Sequence, residues 1–157
     1  MENEVLIIEI DQRRFGIRST DVVEVLRAVS LSKLPGSPPT IEGVFNMRGR
    51  IVTVLDIRRM LGLSTTEIRH TEHLIVVRTD THMLALRADR ALELLTLKLD
   101  RYDAIEKDSQ NSHLIEMVGK TKDGLVYVLG PSRLIADEAT KAAVNALSES
   151  VATEIVT

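Results

Sequence analysis

Few side chains of this 157-residue chain are spaced for bond-making chemistry. His70 and His73 stand three positions apart, which on a helix would put two imidazoles on one face, as a metal site needs. His82 and His113 are distant from them and there is no cysteine, so scattered surface histidines are the better reading. Asp100, Asp103, Glu106 and Asp108 surround a polar stretch, but they lack the spacing and the central glycine of a calcium loop. Ser19, Ser30 and Ser32 have no histidine nearby in the chain to activate them, and no nucleophile elbow is present. No glycine-rich phosphate cradle appears. Without cysteine, disulfide and thiol chemistry are excluded. The expectation is a chain with no catalytic residues, no cofactor and no metal.

The most informative stretch is Ile41 to Leu61, IEGVFNMRGRIVTVLDIRRML. Ile41-Glu42-Gly43 reads as a break, and Val44-Phe45 opens an apolar run. Asn46-Met47-Arg48-Gly49 reads as a turn in which Asn and Gly tolerate a left-handed backbone. Ile51, Val52, Val54 and Leu55 then form a β-rich strand. The result is a β-hairpin with an arginine at its tip. Asp56 is placed to cap a short helix, Ile57 to Leu61, which Gly62 can end. An arginine on a tight hairpin is pre-organised to meet a carboxylate with both ends of its planar fork. On the turn alone, a solvated arginine with no specific task is the plainer reading.

Gly43-Val44-Phe45-Asn46-Met47-Arg48-Gly49, followed by Val52-Thr53-Val54-Leu55-Asp56-Ile57-Arg58, resembles the signature of the CheW-like family of bacterial chemotaxis coupling proteins. Phe15-Gly16-Ile17, Val22 to Arg27, Leu34-Pro35, Asp89 and Gly124-Leu125-Val126 agree in order and spacing, so the resemblance covers roughly residues 4 to 136. Thr53 departs from the pattern, which has proline there, and Met47 stands for a usual leucine. The resemblance implies two small five-stranded SH3-like barrels packed together. It also implies a non-enzymatic adaptor joining the cytoplasmic helical tip of chemoreceptors to the regulatory domain of a CheA-type histidine kinase. An apolar groove between the barrels would accept a receptor helix, and an apolar edge of the first barrel would meet the kinase. On the same resemblance Glu24, Asn46 and Arg48 are the receptor-binding residues, with Glu24 and Arg48 paired beside the hairpin, and Gly43 and Gly49 are structural turn residues. A purely architectural ion pair is the other reading of Glu24 and Arg48.

The elements that must hold these residues are mostly strands. Val5 to Ile10 reads as a buried strand, Asp11 to Arg14 as a polar turn, and Phe15 to Ile17 as the returning strand. Ser19-Thr20-Asp21 could cap a helical turn running into a strand that reaches Lys33. Leu34-Pro35-Gly36-Ser37-Pro38-Pro39 breaks regular structure and reads as a rigid connector or a presented loop. Gly62 to Thr71 is a polar connection placed between two subunits of the fold. Leu74 to Val77 and Met83 to Leu86 repeat the hairpin logic. Asp89 could pair with a basic residue across the fold, though a structural turn aspartate is preferred. Leu92 to Leu99 fits strand or helix by pattern, and the resemblance favours strand. Arg101 to Ser112 reads as a long loop. Leu114 to Gly119 and Leu125 to Leu129 form a hairpin signalled by Asp123-Gly124. Pro131 opens a helix with Leu134, Ile135 and Ala139 on one face, continuing past Ala142, Ala143, Ala146 and Leu147 before the last ten residues fray.

The expected organisation is therefore mostly β with a C-terminal helix. Residues 1–136 form the CheW-like domain, with barrel one at about 14–70 and barrel two at about 72–131. The first strand is free to cross and complete barrel two, and residues 137–157 form a helical, then frayed tail. Hydrophobic residues make up 44% of the chain, enough for a core, while aromatics are 3%, so that core must be Val, Ile, Leu and Ala. Twenty basic against 23 acidic side chains give a net charge of −3, which argues against nucleic acid as a partner. No signal-peptide pattern and no apolar run of membrane-spanning length is seen, so the expected compartment is the cytoplasm, with membrane contact only indirect, through receptors. Two alternatives remain: a CheW-like scaffold in a chemosensory pathway with another output, and a small ligand-binding or hydrolytic β-barrel.

Overall fold

The computed structural model describes residues 2–102 and 112–155. Ten strands make two five-stranded sheets. One is a closed barrel of β1 (Glu2–Ile10), β2 (Arg13–Arg18), β8 (Arg90–Arg101), β9 (Ile115–Thr121) and β10 (Gly124–Leu129), in the order β1-β2-β10-β9-β8. The other holds β3 (Val22–Arg27), β4 (Ile41–Met47), β5 (Arg50–Leu55), β6 (His73–Arg78) and β7 (Met83–Ala88), in the order β3-β6-β7-β5-β4. Its two ends meet just beyond β3, where the N–H groups of Ser32 and Val44 each donate to the other's carbonyl at 2.9 Å. The fold is thus the expected mostly-β pair of SH3-like barrels with a C-terminal helix.

The expected division near residue 71 is corrected. The chain begins in the closed barrel, leaves it after β2 through a 3-10 turn at Ser19–Asp21, builds the whole other sheet, and returns at Asp89. β6 and β7 belong with β3–β5, and both β1 and β2 belong with β8–β10. The polar stretch 62–71 that resembled a linker is an internal crossover. It carries the chain from β5 to β6 past β7, which lies between them in the sheet, so no tight turn can join the two.

Three apolar clusters explain which runs read as continuous. Val5 and Ile7 of β1 point into the closed barrel with Leu97, Leu99, Val126 and Val128. Leu6, Ile8 and Ile10 point the other way, into a core shared between the barrels with Ile75, Val77, Leu84 and Leu86. Leu74 and Val76 turn inward beside Phe45, Val52 and Val54. Strands covered on both faces lose the apolar–polar alternation of half-exposed ones.

Asp56 caps α1 (Ile57–Met60), its carboxylate accepting from the Arg59 N–H at 3.1 Å, and Gly62 follows with φ +74°. The helix expected to run on from Pro131 is two helices. α2 (Pro131–Leu134) stops, and α3 (Glu138–Ile155) restarts with the Asp137 carboxylate accepting from the Thr140 N–H at 3.0 Å. The break turns Ala139 to solvent and puts Thr140, Val144 and Leu147 against the shared core. The backbone stays helical to Ile155, beyond the point where fraying was expected. The strand expected to reach Lys33 ends at Arg27. Most of the Arg101–Ser112 loop, with Asp103, Glu106 and Asp108, lies outside the described residues.

Candidate partner-binding surface

The β4–β5 turn is built by Arg48 and Gly49, both with left-handed φ, +51° and +86°. This is the two-residue geometry that matches the twist of a hairpin. Asn46 does not take the left-handed position expected of it. It lies exposed at the penultimate position of β4, and its side-chain oxygen accepts from the Gly49 N–H at 2.7 Å, which steadies the turn. Gly43 is corrected from turn residue to strand residue: it lies within β4, at a register shift, and a Cβ there would sit 2.8 Å from the Ser32 carbonyl oxygen. Its lack of a side chain lets the Ser32–Val44 closure form. Thr53, standing where the family pattern has proline, lies mid-strand between Val44 and Leu84, the β4 and β7 neighbours of β5.

Arg48 reaches from the turn to Glu24 on β3, and both of its terminal nitrogens donate to the carboxylate, one at 3.1 Å. The ion pair and the Ser32–Val44 bridge thus join the two ends of the same sheet. The hydrogen bond from Arg48 draws Glu24 below the usual carboxylate range, and Arg48 is raised in turn. The Arg48 side chain is 70% exposed and held at one end only, so its planar face stays available. Val23, Val25 and Val29 are also exposed, with Val25 on the face of β3 opposite Glu24. Val25 pairs with Ile75 and so shares its face of the sheet, which carries the shared core out to the surface. Sequence reasoning missed these valines as surface residues. The available signal was the strand alternation that sets Val23 and Val25 on one face with Arg27.

Two further charged groups sit deeper. Arg58 donates to both Asp89 oxygens at 2.7 and 2.9 Å and to the Ser64 carbonyl at 3.2 Å. Asp89 also accepts the Asp11 N–H at 2.8 Å. Asp89 therefore does pair across the fold, and its reading as a turn aspartate alone is corrected. Burial pushes Asp89 up, but the bonds from Arg58 and Asp11 outweigh it, and its pKa is lowered. Arg87, buried on β7, binds Glu42, the Thr66 carbonyl and Glu72, the last at 2.9 Å. Burial, opposed by Arg87, pushes Glu42 up to about 7. Arg87 and Glu42 border a cleft of ≈ 620 Å³ between the proline-rich loop and residues 65–68. His73 is on β6 and His70 in the preceding connection. Among the described residues no group of three His, Cys, Asp or Glu side chains could hold a metal ion, and no helix is long and apolar enough to cross a membrane.

Two SH3-like barrels sharing one core, with an arginine held by a carboxylate at a hairpin tip, define a double-barrel β-scaffold. The chain belongs to the CheW-like domain family, whose model matches residues 4–139. It is 27% identical over 140 residues to the Chemotaxis protein CheW of Thermotoga maritima, covering 89% of this chain and 92% of that one. It is 36% identical to Protein FrzA of Myxococcus xanthus over 93 residues, 59% of this chain and 58% of that one. The crystal structure of the scaffolding protein TtCheW from Thermoanaerobacter tengcongensis superposes with a TM-score of 0.78 at 22% identity, covering 88% of this chain and 91% of that one.

Proposed function

We propose that this protein is a non-enzymatic cytoplasmic coupling scaffold that joins the helical tips of chemoreceptors to the regulatory domain of a CheA-type histidine kinase. The observation that carries this reading is the Glu24–Arg48 pair at the tip of the β4–β5 turn, fixed by a left-handed backbone. A guanidinium oriented by one carboxylate is ready to meet polar groups on a partner helix. Asn46 contributes by shaping the turn. The kinase meets an apolar edge of the barrel that carries β3–β7, and two modest contacts reinforce each other once both partners are in place. Contact with the membrane is indirect, through receptors.

The test titrates a receptor tip fragment and a kinase regulatory domain separately against Arg48→Ala and Glu24→Ala. Arg48→Ala should lose most receptor affinity and keep its melting temperature. Glu24→Ala should lose less, because it acts by orienting Arg48, and the double variant should fall short of the sum. Kinase affinity should be unchanged. Equal loss of both partners, or full receptor affinity in folded Arg48→Ala, would refute the assignment. The likeness to FrzA, a relative not named as a chemotaxis protein, favours one second reading: the same scaffold in a chemosensory pathway with a different output. Receptors and kinases of the two pathways, used as rival partners in the same titration, separate the readings.

A further inference from the structure

The outer face of β2, β10 and β9 carries a feature that the Glu24–Arg48 surface does not use. β10 lies parallel to β2 with Tyr127 opposite Phe15, and antiparallel to β9 with Leu125 opposite Lys120 and Tyr127 opposite Val118. Residues opposite one another share a face. Two residues back along β2 and β10 therefore place Arg13, Leu125 and Lys120 in one row, with Phe15, Tyr127 and Val118 in the next. The first row is exposed throughout, and Leu125 is 47% exposed, unusually open for a large apolar side chain between two cations. The second row is more buried, and Tyr102 stands edge-on to Tyr127 at 5.9 Å between ring centroids. Beside Leu125 is a hollow of ≈ 290 Å³ with Phe15 and Tyr127 in its floor and Leu61 and Ile115 in its wall.

The charges around this hollow are not balanced from within. Arg14 is taken by Asp123 at 3.3 Å and Glu93 at 3.8 Å. Arg13, Lys120 and Lys122 make no ion pair among the described residues. Asp123 and Glu93, the acids nearest the hollow, are thus both engaged by Arg14, and Asp100, opposite Val118, lies on the far side of β9. This excess of positive charge stands on a chain whose net charge is −3, so it is local.

We infer that the outer face of β2–β10–β9 is a second docking surface, fitted to a protein segment in which an apolar side chain is flanked by carboxylates. The apolar side chain enters the hollow against Leu125, Phe15 and Tyr127, and the carboxylates meet Arg13 on one side and Lys120 on the other. The site is concave and offers one exposed leucine rather than a protruding apolar ridge, which suits a side chain better than a lipid surface. Its partner contacts are separate from Glu24 and Arg48, so it stands or falls independently of the proposed receptor contact.

The test uses the whole chain, isotope-labelled, and a short synthetic peptide whose central leucine is flanked by glutamates, with a second peptide carrying lysines in their place. The glutamate peptide should bind saturably below about 1 mM. It should shift the amide signals of Arg13, Lys120, Leu125 and Tyr127, and weaken as salt is raised. The lysine peptide should not bind. Leu125→Ser, and separately Arg13→Gln with Lys120→Gln, should each weaken binding roughly tenfold without changing the melting temperature, since all three side chains are exposed. Absence of saturable binding, equal binding of both peptides, or shifts centred elsewhere would overturn the inference. Binding to anionic vesicles through the same residues, with no peptide binding, would overturn it in favour of a lipid contact.

Discussion

Arg48 and Arg58 make the same bidentate contact with a carboxylate, yet burial gives them different work. The Arg48 side chain is 70% exposed and its pair with Glu24 is solvated, so losing it should alter binding and leave stability alone. The Arg58 side chain is 6% exposed and faces Asp89, which also holds the Asp11–Gln12 turn, where two non-glycine residues take left-handed φ of +53° and +62°. Asp89→Ala should therefore cost about 2–3 kcal/mol, since it leaves a guanidinium buried without its partner. Arg58→Met, which removes the charge and keeps the length, should cost less. Denaturant melts of both variants check this, and an Asp89→Ala midpoint equal to wild type would refute it. The Arg48 pairing was readable only through the family resemblance, which covers both residues, since the turn alone suggested a solvated arginine. The Arg58–Asp89 pairing was not, because Asp89 lies 31 residues further along and its sequence neighbours Arg87 and Arg90 turn to Glu42, Glu72 and Glu9 instead.

At the scale of elements, the β4–β5 hairpin was legible because its turn needs left-handed residues and Gly49 supplies one. The residue beside it could not be assigned by preference. Asn46 tolerates that conformation better, but Arg48 adopts it because the pairing of Met47 with Arg50 leaves only two residues for the turn. Gly49→Val should then destabilise the hairpin by about 1–2 kcal/mol through backbone strain, although nothing lies within 4 Å of the added Cβ. Arg48→Gly should relieve strain while removing the guanidinium, so it should melt no lower than wild type and still bind receptor poorly. If Arg48→Gly bound receptor as wild type, the turn alone rather than the side chain would be the recognised feature. The α2–α3 break was hidden for a different reason. Ala139 and Ala142 fit an apolar helical face by composition, whereas the packed face is set by where Thr140 meets Thr40, Oγ1 to Oγ1 at 2.6 Å.

At the scale of the molecule, mostly-β architecture was legible from doubly covered runs such as Val5 to Ile10, whereas barrel membership was not. Two similar hairpins separated by a polar stretch suggest two successive units. The long-range pairings of β1 with β8, β2 with β10 and β3 with β6 show instead that one sheet is inserted into the other. The placing of β6 and β7 in one sheet with β4 brings Glu42 and Glu72 onto one buried guanidinium, Arg87, and sets a pH dependence for the whole fold. Burial raises Glu42 from 4.5 to about 7, so between those values the folded chain holds a proton that the unfolded chain has released. The Glu42 contribution to stability is therefore complete below about pH 4.5, falls as pH rises through 7, and is flat above it. A shift of that size bounds the loss at about 3 kcal/mol, at 1.36 kcal/mol per unit. Asp89 acts with the opposite sign in a separate window. Its lowered pKa supplies stability above its unfolded value near 3.8, which is lost as pH falls through the lower folded value. Stability measured by urea unfolding should accordingly decline from pH 5 toward 7. Glu42→Gln, which keeps an acceptor for Arg87 and cannot ionise, should flatten that decline while leaving the acid limb below pH 4 in place. If Glu42→Gln kept the wild-type slope between pH 5 and 7, the proton would belong to another group and the burial of Glu42 beside Arg87 would not govern the fold's response to pH.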